Sequence, residues 1–448
     1  MEGHAPPASN PPVPLRRRGG TRVLALLLAI NLFNYIDRYV LVAVEPEIRK
    51  HYFGGESEDA RAQTGLLATA FLVSYMIASP VFGRLADRFA RWPLVGLSVV
   101  AWSLATGASG LAATFTILLI MRMFVGIGEA GYGPSAPTII ADVYPPERRA
   151  SVMAWFYMAI SVGSALGYAI GGFVAEHWHW RAAFLVVVPP GLLLGLLCFF
   201  MREPQRGAAD AAEPAARAAR WRDYIIVLKT PSYVLDTAGM IALTFAIGGI
   251  SFWMPDYLTY RGVPLGQGNF IFGLIAAVAG VTATLAGGIA GDRLRGRIRG
   301  AYFAVSAAGI WISCPMVLLV LWTPFPWAWG VMFVAMFFLF FNTGPSNAIL
   351  ANVTHPSMRA TAFALNIFVI HLLGDAISPP VLGKIIGPVV HEGGRHYRYD
   401  LAFATVSAIM AVAGALWFAG RWYLDRDTEL APRRLSSGAV EARGERVR

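Results

Sequence analysis

Twelve stretches of mostly apolar residues alternate with short polar breaks along the chain. They run roughly from 22 to 44, 64 to 82, 92 to 111, 115 to 141, 150 to 175, 182 to 201, 233 to 258, 270 to 290, 301 to 322, 327 to 352, 361 to 388 and 400 to 420. About 20 apolar residues in helical conformation cross the hydrocarbon core of a bilayer, and a helix satisfies its own backbone hydrogen bonds there. The pattern therefore predicts an all-α membrane protein of twelve transmembrane helices. The first run comes after a basic stretch, Arg16-Arg17-Arg18, as the core of a signal peptide would. It is too long for one and holds Asp37 and Arg38 rather than a small-residue cleavage site, so it reads as a retained first helix.

Composition agrees with the pattern. Of 448 residues, 56% are hydrophobic and only 14% charged, whereas a soluble chain carries about 25% charged residues. A net charge of +10 raises nucleic acid as a partner. The basic residues, however, sit between apolar runs and not on a folded polar face, so no nucleic-acid partner is expected. Topology accounts for the charge instead: 27 of the 37 Lys and Arg fall on the side that holds both termini and 7 on the other. By the positive-inside bias both termini are cytoplasmic, in a multi-pass protein of the cell (inner or plasma) membrane. Cys198 and Cys314 lie inside apolar segments and imply neither a disulfide framework nor a metal site.

The longest polar interruption divides the chain. The reading is a cytoplasmic tail (1–21), a six-helix bundle (22–201), a cytoplasmic linker (202–232), a second six-helix bundle (233–420) and a cytoplasmic C-terminal tail (421–448). The two halves echo each other. Gly83-Arg-Leu-Ala-Asp87-Arg88 matches Gly288-Ile-Ala-Gly-Asp292-Arg293, and Pro146-Glu-Arg-Arg149-Ala-Ser-Val matches Pro356-Ser-Met-Arg359-Ala-Thr-Ala. Two motifs recurring at nearly one offset argue for a duplicated unit.

The segment Gly83 to Arg91, its echo at Gly288 and the stretch Arg122-xxx-Gly126-x-Gly128 resemble signatures of the major facilitator superfamily. Asn34-Tyr-Ile-Asp37-Arg38-Tyr39, Gly126-Ile-Gly-Glu129-Ala, Ala136 to Asp142, Phe252-Trp-Met-Pro255 and His371 to Pro379 are similar to its spinster-type subgroup. Ala90 and Trp92 depart from the usual loop motif. The resemblance implies two pseudo-symmetric six-helix bundles and transport by alternating access. It also implies a substrate such as a lysophospholipid or sphingosine-1-phosphate, and proton coupling. A further implication is a cytoplasmic latch in which Asp87 and Asp292 cap helix N-termini of the opposite half, with Arg88, Arg91, Arg293 and Asp142 around them.

An ionisable group inside a membrane span is costly and is read first as functional. At 100° per residue, Asn31, Asn34, Tyr35 and Arg38 form one polar stripe on the first helix, with Asp37 on its flank. Such a stripe can present the Arg38 guanidinium to a phosphate or carboxylate head; the alternative is that Asp37 and Arg38 only neutralise neighbouring helices. Arg122 and Glu129 share a face of the fourth helix two turns apart, too far for a direct pair. Glu129 is therefore expected to be a proton-sensitive switch, the alternative being a fixed ion pair with Arg38. His371 and Asp375, at i and i+4, fit a proton relay and a structural pair equally well. Gly163, Gly167 and Gly171 mark a close-packing face. Tyr75, Tyr168, Phe252, Trp253 and Phe341 are either cavity lining or ordinary packing.

Together these residues point to a secondary transporter. The expected substrate is an amphipathic anionic lipid bound by Arg38, Asn31, Asn34, Tyr35 and Arg122, with protons handled by Glu129, Asp37, His371 and Asp375. A transporter of a small organic anion is the alternative. A lipid-modifying enzyme is disfavoured, because the chain has neither a nucleophile elbow of the G-x-S-x-G kind nor a multi-ligand metal cluster. No cofactor is expected, and the protein is expected to act as a monomer in the lipid bilayer.

Overall fold

The apolar runs fold into twelve helices able to cross a bilayer. Helix 1 spans Gly20–Phe53, helix 2 Gln63–Arg88, helix 3 Arg91–Gly110, helix 4 Phe115–Val143, helix 5 Pro146–His177 and helix 6 Trp180–Cys198. Helix 7 spans Pro231–Met254, helix 8 Phe270–Leu294, helix 9 Ala301–Trp322, helix 10 Trp327–Val353, helix 11 Pro356–Ile386 and helix 12 Tyr399–Gly420. The computed structural model describes residues 17–54, 58–210, 223–386, 389–391, 394–396 and 398–434. The N-terminal tail through residue 16, the linker at 211–222 and the C-terminal tail beyond 434 lie outside the described residues. A short hairpin, Val389–His391 with Gly394–His396, stands between helices 11 and 12.

Two departures from the apolar pattern coincide with specific side-chain contacts. Helix 1 continues well past residue 44, through a stretch with four charged residues. Glu45 supports that extension by pairing with Arg49 one turn on, at 3.4 Å, and accepting a hydrogen bond from Thr64. Helix 11 is not uniformly α-helical: a π turn at His371–Asp375 interrupts it. There Thr244 of helix 7 donates to the Ile370 carbonyl, a group the altered ladder leaves to a neighbour.

The duplication is visible in three dimensions. Helix 4 breaks between Tyr132 and Ser135, and helix 10 between Phe340 and Thr343; the same tripeptide, Gly-Pro-Ser, stands at or just after each break, at 133–135 and 344–346. Proline removes a backbone donor and breaks the ladder at equivalent places in each bundle. Within the first bundle, the glycines of helix 5 seat helix 1. A Cβ at Gly163 would lie 2.7 Å from the Leu32 carbonyl and from Tyr35, and one at Gly167 equally close to Ile36 and Tyr39. This close seat fixes the helix that carries Tyr35 and Arg38.

The bundles meet through helix 2 on helix 11 and helix 5 on helix 8. At the end that carries both described chain ends the approach is intimate: a Cβ at Gly83 would stand 2.6 Å from Ala364, and one at Gly288 2.5 Å from Ala154. Along the same face of helix 8, Gly280 still contacts Ser161, but Gly273 has no atom within 4 Å. The two halves are thus closed at that end, and the helix 8 contact with helix 5 seen at Gly288 and Gly280 is absent at Gly273.

Candidate functional site

Helices 1 and 4 bring Arg38 and Glu129, each near the middle of its span, into contact. Arg38 donates from Nε to Glu129 Oε2 at 2.7 Å, and its Nη2 lies 2.5 Å from the same oxygen. Glu129 is buried, whereas the Arg38 side chain is 25% exposed, so the guanidinium is the accessible member of the pair. Three aromatic rings surround it: Tyr35 at 5.0 Å, Phe71 at 4.7 Å and Tyr75 at 5.3 Å from the Arg38 Cζ. A planar cation stacked among rings keeps its charge at low solvation cost. Asn34, one turn before Arg38 on helix 1, is buried with its side chain beside the Glu129 carboxyl.

The other half reaches the same place. Tyr75, against Arg38 on one side, lies 6.3 Å from the His371 ring of helix 11 in an edge contact. His371 Nδ1 is 3.0 Å from Asp375, and both are partly exposed. Both residues belong to the π turn, one at each end of it. Arg38, Glu129, Tyr75, His371 and Asp375 therefore form one polar line across both bundles.

Asn31 and Arg122 are placed differently from the substrate-facing positions expected of them. Asn31 donates to the Phe156 carbonyl at 2.8 Å, tying helix 1 to helix 5. Arg122 is enclosed, with Nη2 donating to Ser109 at 3.1 Å and Thr106 at 3.3 Å, beneath the Phe184 ring. Thr106 in turn donates to Asp37 at 2.6 Å. Helix periodicity puts Arg122 on the Glu129 face, but helix 3 packs hydroxyls against it and closes that face at the depth of Arg122.

At the closed end, Asp87 accepts from the backbone N–H of Ala360 at 3.0 Å, from the N–H of Thr361 at 3.1 Å and from the Thr361 hydroxyl. Its repeat counterpart Asp292 accepts from the Ser151 N–H at 2.9 Å. Each carboxylate caps the start of a helix in the other half, where unpaired N–H groups and the helix dipole favour negative charge. Arg91 and Asp142 are both buried, 2.5 Å apart, and Asp142 is also 3.1 Å from Arg359 of the second bundle. Arg88 and Arg293 are exposed and form no hydrogen bond or ion pair among the described residues. Instead Arg84, Arg149 and Arg359 make the buried contacts.

Asp87→Asn is expected to shift molecules toward separation at this end by about 1 to 2 kcal/mol, since the amide keeps the shape but loses the charge that favours the helix N-terminus. Spin labels attached at Arg88→Cys and Arg293→Cys, exposed positions in opposite halves, read that separation as a longer distance. An unchanged distance distribution would rule out the cap as a conformational determinant.

Several residues here carry little signal in the sequence. Phe71 is one of many span aromatics, and only its contact with Arg38 distinguishes it. Glu203, Asp210 and Arg206 look like ordinary linker polarity, yet all three bind the closed end. Asp236, within the apolar run of helix 7, is fully buried with neither carboxyl oxygen partnered among the described residues. The criterion that singles out Asp37, charge inside a span, applies to it equally.

The chain is similar to known proteins in sequence and in fold. The profile of the Major Facilitator Superfamily matches residues 27–379. The chain is 32% identical to protein spinster homolog 3 of Danio rerio, across 96% of this chain and 91% of that protein. It is 36% identical to protein spinster homolog 1 of Homo sapiens, across 81% of this chain and 72% of that protein. Among solved structures it is similar to a bacterial homolog of the human lysosomal transporter Spinster in an inward-facing, unoccupied conformation, with 24% identity and a TM-score of 0.61 over 92% of this chain and 99% of the other. It also resembles the proton:xylose symporter XylE, with 16% identity and a TM-score of 0.72 over 90% of this chain and 96% of the other.

Proposed function

Because the chain belongs to the major facilitator superfamily, within its spinster group, and is a multi-pass membrane transporter rather than an enzyme, we propose that it is a proton-coupled secondary transporter of an amphipathic anionic lipid, a lysophospholipid or sphingosine-1-phosphate-like molecule, working by alternating access. The observation that carries this reading is the Arg38–Glu129 pair. It is a permanent cation, partly exposed at mid-membrane, ringed by Tyr35, Phe71 and Tyr75 and neutralised by a carboxyl that protonation can switch off. The guanidinium suits a phosphate head, and the rings offer an apolar wall for the chain attached to that head.

In this reading Arg38 holds the substrate head, with Asn34 and Tyr35 beside it. Glu129 is the coupling carboxyl, with Asp37, His371 and Asp375 as further proton-responsive groups. Arg122 acts through Asp37, and Asn31 sets the position of helix 1. Asp87, Asp292, Arg91 and Asp142 form the cytoplasmic latch, and the structure's closed end is the cytoplasmic one. Both termini are then cytoplasmic in the cell membrane, with bundles at 22–201 and 233–420 joined by the linker 202–232, and the monomer is the working unit. The same arginine suits a small organic anion, the second reading, which needs no apolar wall. Flux of labelled lysophospholipid into proteoliposomes, with and without a pH gradient, is the test. Gradient-stimulated lysolipid flux is expected. Flux of small carboxylates alone would favour the second reading, and flux of neither would reject both.

A further inference from the structure

The polar linker contributes side chains to the closed end. After helix 6 the chain turns back, and Glu203 accepts from Arg91 at its backbone N–H, 2.9 Å, and at Nε, 2.7 Å. Arg91 Nη2 donates to the Pro204 carbonyl at 3.0 Å, and Arg206 caps the end of helix 2 by donating to the Ala86 and Phe89 carbonyls at 2.6 and 2.7 Å. Gly207 N–H donates to Asp142 at 2.8 Å. Asp210 then lies between two arginines that occupy equivalent repeat positions: its Oδ1 is 2.5 Å from Arg149 and its Oδ2 is 2.8 Å from Arg359. Both arginines are fully buried. Arg149 belongs to the first bundle and Arg359 to the second, so a single linker carboxylate bridges the halves.

The charges explain why a bridge is needed. Arg91, Arg149 and Arg359 are buried together, and Asp142 pairs with Arg91 and Arg359, while the ion pair of Arg149 is with Asp210. Without Asp210, Arg149 keeps Asn352 and backbone carbonyls as its hydrogen-bond partners and loses its paired anion. A buried guanidinium without an anion is strongly unfavourable. Separation of the halves breaks Asp210–Arg359 and Asp142–Arg359 while leaving Asp210–Arg149 and Arg91–Glu203 within the first half.

We propose that the linker segment Glu203–Asp210 is a clasp and Asp210 a positioning residue of the gate, holding Arg149 and Arg359 together in the closed-end state and so setting the balance between the two orientations of the transporter. The inference rests on alternating access but on no particular substrate, since it concerns the halves without one. Burial pushes the Asp210 carboxyl up, but Arg359 and Arg149 outweigh it and hold it below the usual aspartate range. Its contribution is therefore present above that range and is lost only as pH falls through the lowered value. The nearby His355 is pushed down to about 4 by burial and by Arg359, so it stays neutral near physiological pH. Also facing the cluster are the ion-paired Arg91, Asp142 and Glu203 and, lining the same cavity as Asp210 and Arg359, Glu429 and Arg433. Asp210 is thus ionised between about pH 5.5 and 8.

The test measures the distance between spin labels at Arg88→Cys and Arg293→Cys in substrate-free protein. Asp210→Asn is expected to raise the ratio of separated to closed molecules roughly tenfold or more, and Asp210→Glu to restore most of the closed population. Glu203→Gln, which loosens the partly exposed end of the segment and leaves Arg91 paired with Asp142, is expected to shift the ratio the same way by less. Asp210→Asn should also leave the shape of the pH dependence of flux unchanged while altering its maximal rate, which a general loss of folding would not do. A distance distribution unchanged in Asp210→Asn, or unchanged in Glu203→Gln if Asp210→Asn fails to fold, overturns the proposal. So does a closed population that Asp210→Glu fails to recover.

Discussion

Glu129→Gln is expected to bind substrate at neutral pH as the wild type does at low pH, and to lose the pH dependence of binding and of flux. The reason is competition for one guanidinium edge. Arg38 uses Nε and Nη2 on a single oxygen of Glu129, the edge best suited to a two-point contact with a phosphate. While Glu129 is ionised, an anionic head must displace or share that edge. Once Glu129 is protonated its claim on Arg38 weakens. Affinity for an anion then rises as pH falls and declines as pH rises, and linkage requires that substrate binding in turn favour proton uptake. Glutamine keeps the shape and never ionises, so affinity stays at its low-pH level.

Proton coupling also needs the proton to distinguish the two orientations of the bundles, because a ligand with equal affinity for both shifts nothing. Glu129 meets that condition by its place. It faces Arg38, which touches Tyr75, which in turn touches His371 across the bundle interface. Measuring binding and flux from about pH 5.5 to 8 separates the candidates. If Glu129→Gln keeps the wild-type profile and Asp37→Asn flattens it, coupling belongs to the Asp37–Thr106–Arg122 group. If only a His371 variant flattens it, coupling lies in the second bundle.

Features with local causes were legible in the sequence, and features with distant causes were not. Spanning helices depend on some 20 consecutive residues, so apolar run length located all twelve. The duplication was legible because Asp87 and Asp292 recur with their flanking glycines, and those glycines are where the bundles touch. Charge inside a span is equally local, and it singled out Arg38 and Glu129. Their contact was only one of two readings, since they are 91 residues apart and helical angles fix a face without fixing the neighbour that covers it. The same limit misplaced Arg122, whose face is closed by Thr106 and Ser109 of helix 3. The linker was illegible for a different reason. Ala, Gly, Pro and mixed charges describe a solvated connector equally well, and only the buried arginines at 91, 149 and 359 give Glu203 and Asp210 their meaning. The helix 1 extension and the π turn of helix 11 likewise depend on contacts with Thr64 and Thr244, outside any local window.

Arg38→Lys is expected to weaken binding of a phosphate-headed lysolipid by about 2 kcal/mol, roughly thirtyfold in affinity, although the charge is conserved. Two separate properties of the guanidinium are lost. Its planar fork offers paired donors, whereas an ammonium is a point charge on a flexible stem. The guanidinium also lies against the rings of Tyr35, Phe71 and Tyr75, and a more strongly hydrated ammonium is poorly accommodated among three rings. Lysine should also hold Glu129 less rigidly, so the pH dependence is expected to persist with a reduced amplitude. Arg38→Ala removes the cation and leaves Glu129 buried without its partner, a cost of about 3 to 5 kcal/mol if the carboxyl stays ionised. Thermal stability must therefore be measured beside affinity to separate loss of binding from loss of the fold. Titrating wild type, Arg38→Lys and Arg38→Ala with one lysophospholipid at fixed pH decides between roles for this residue. Equal affinity in wild type and Arg38→Lys would exclude two-point recognition, and normal binding by a folded Arg38→Ala would move the substrate head away from helix 1 altogether.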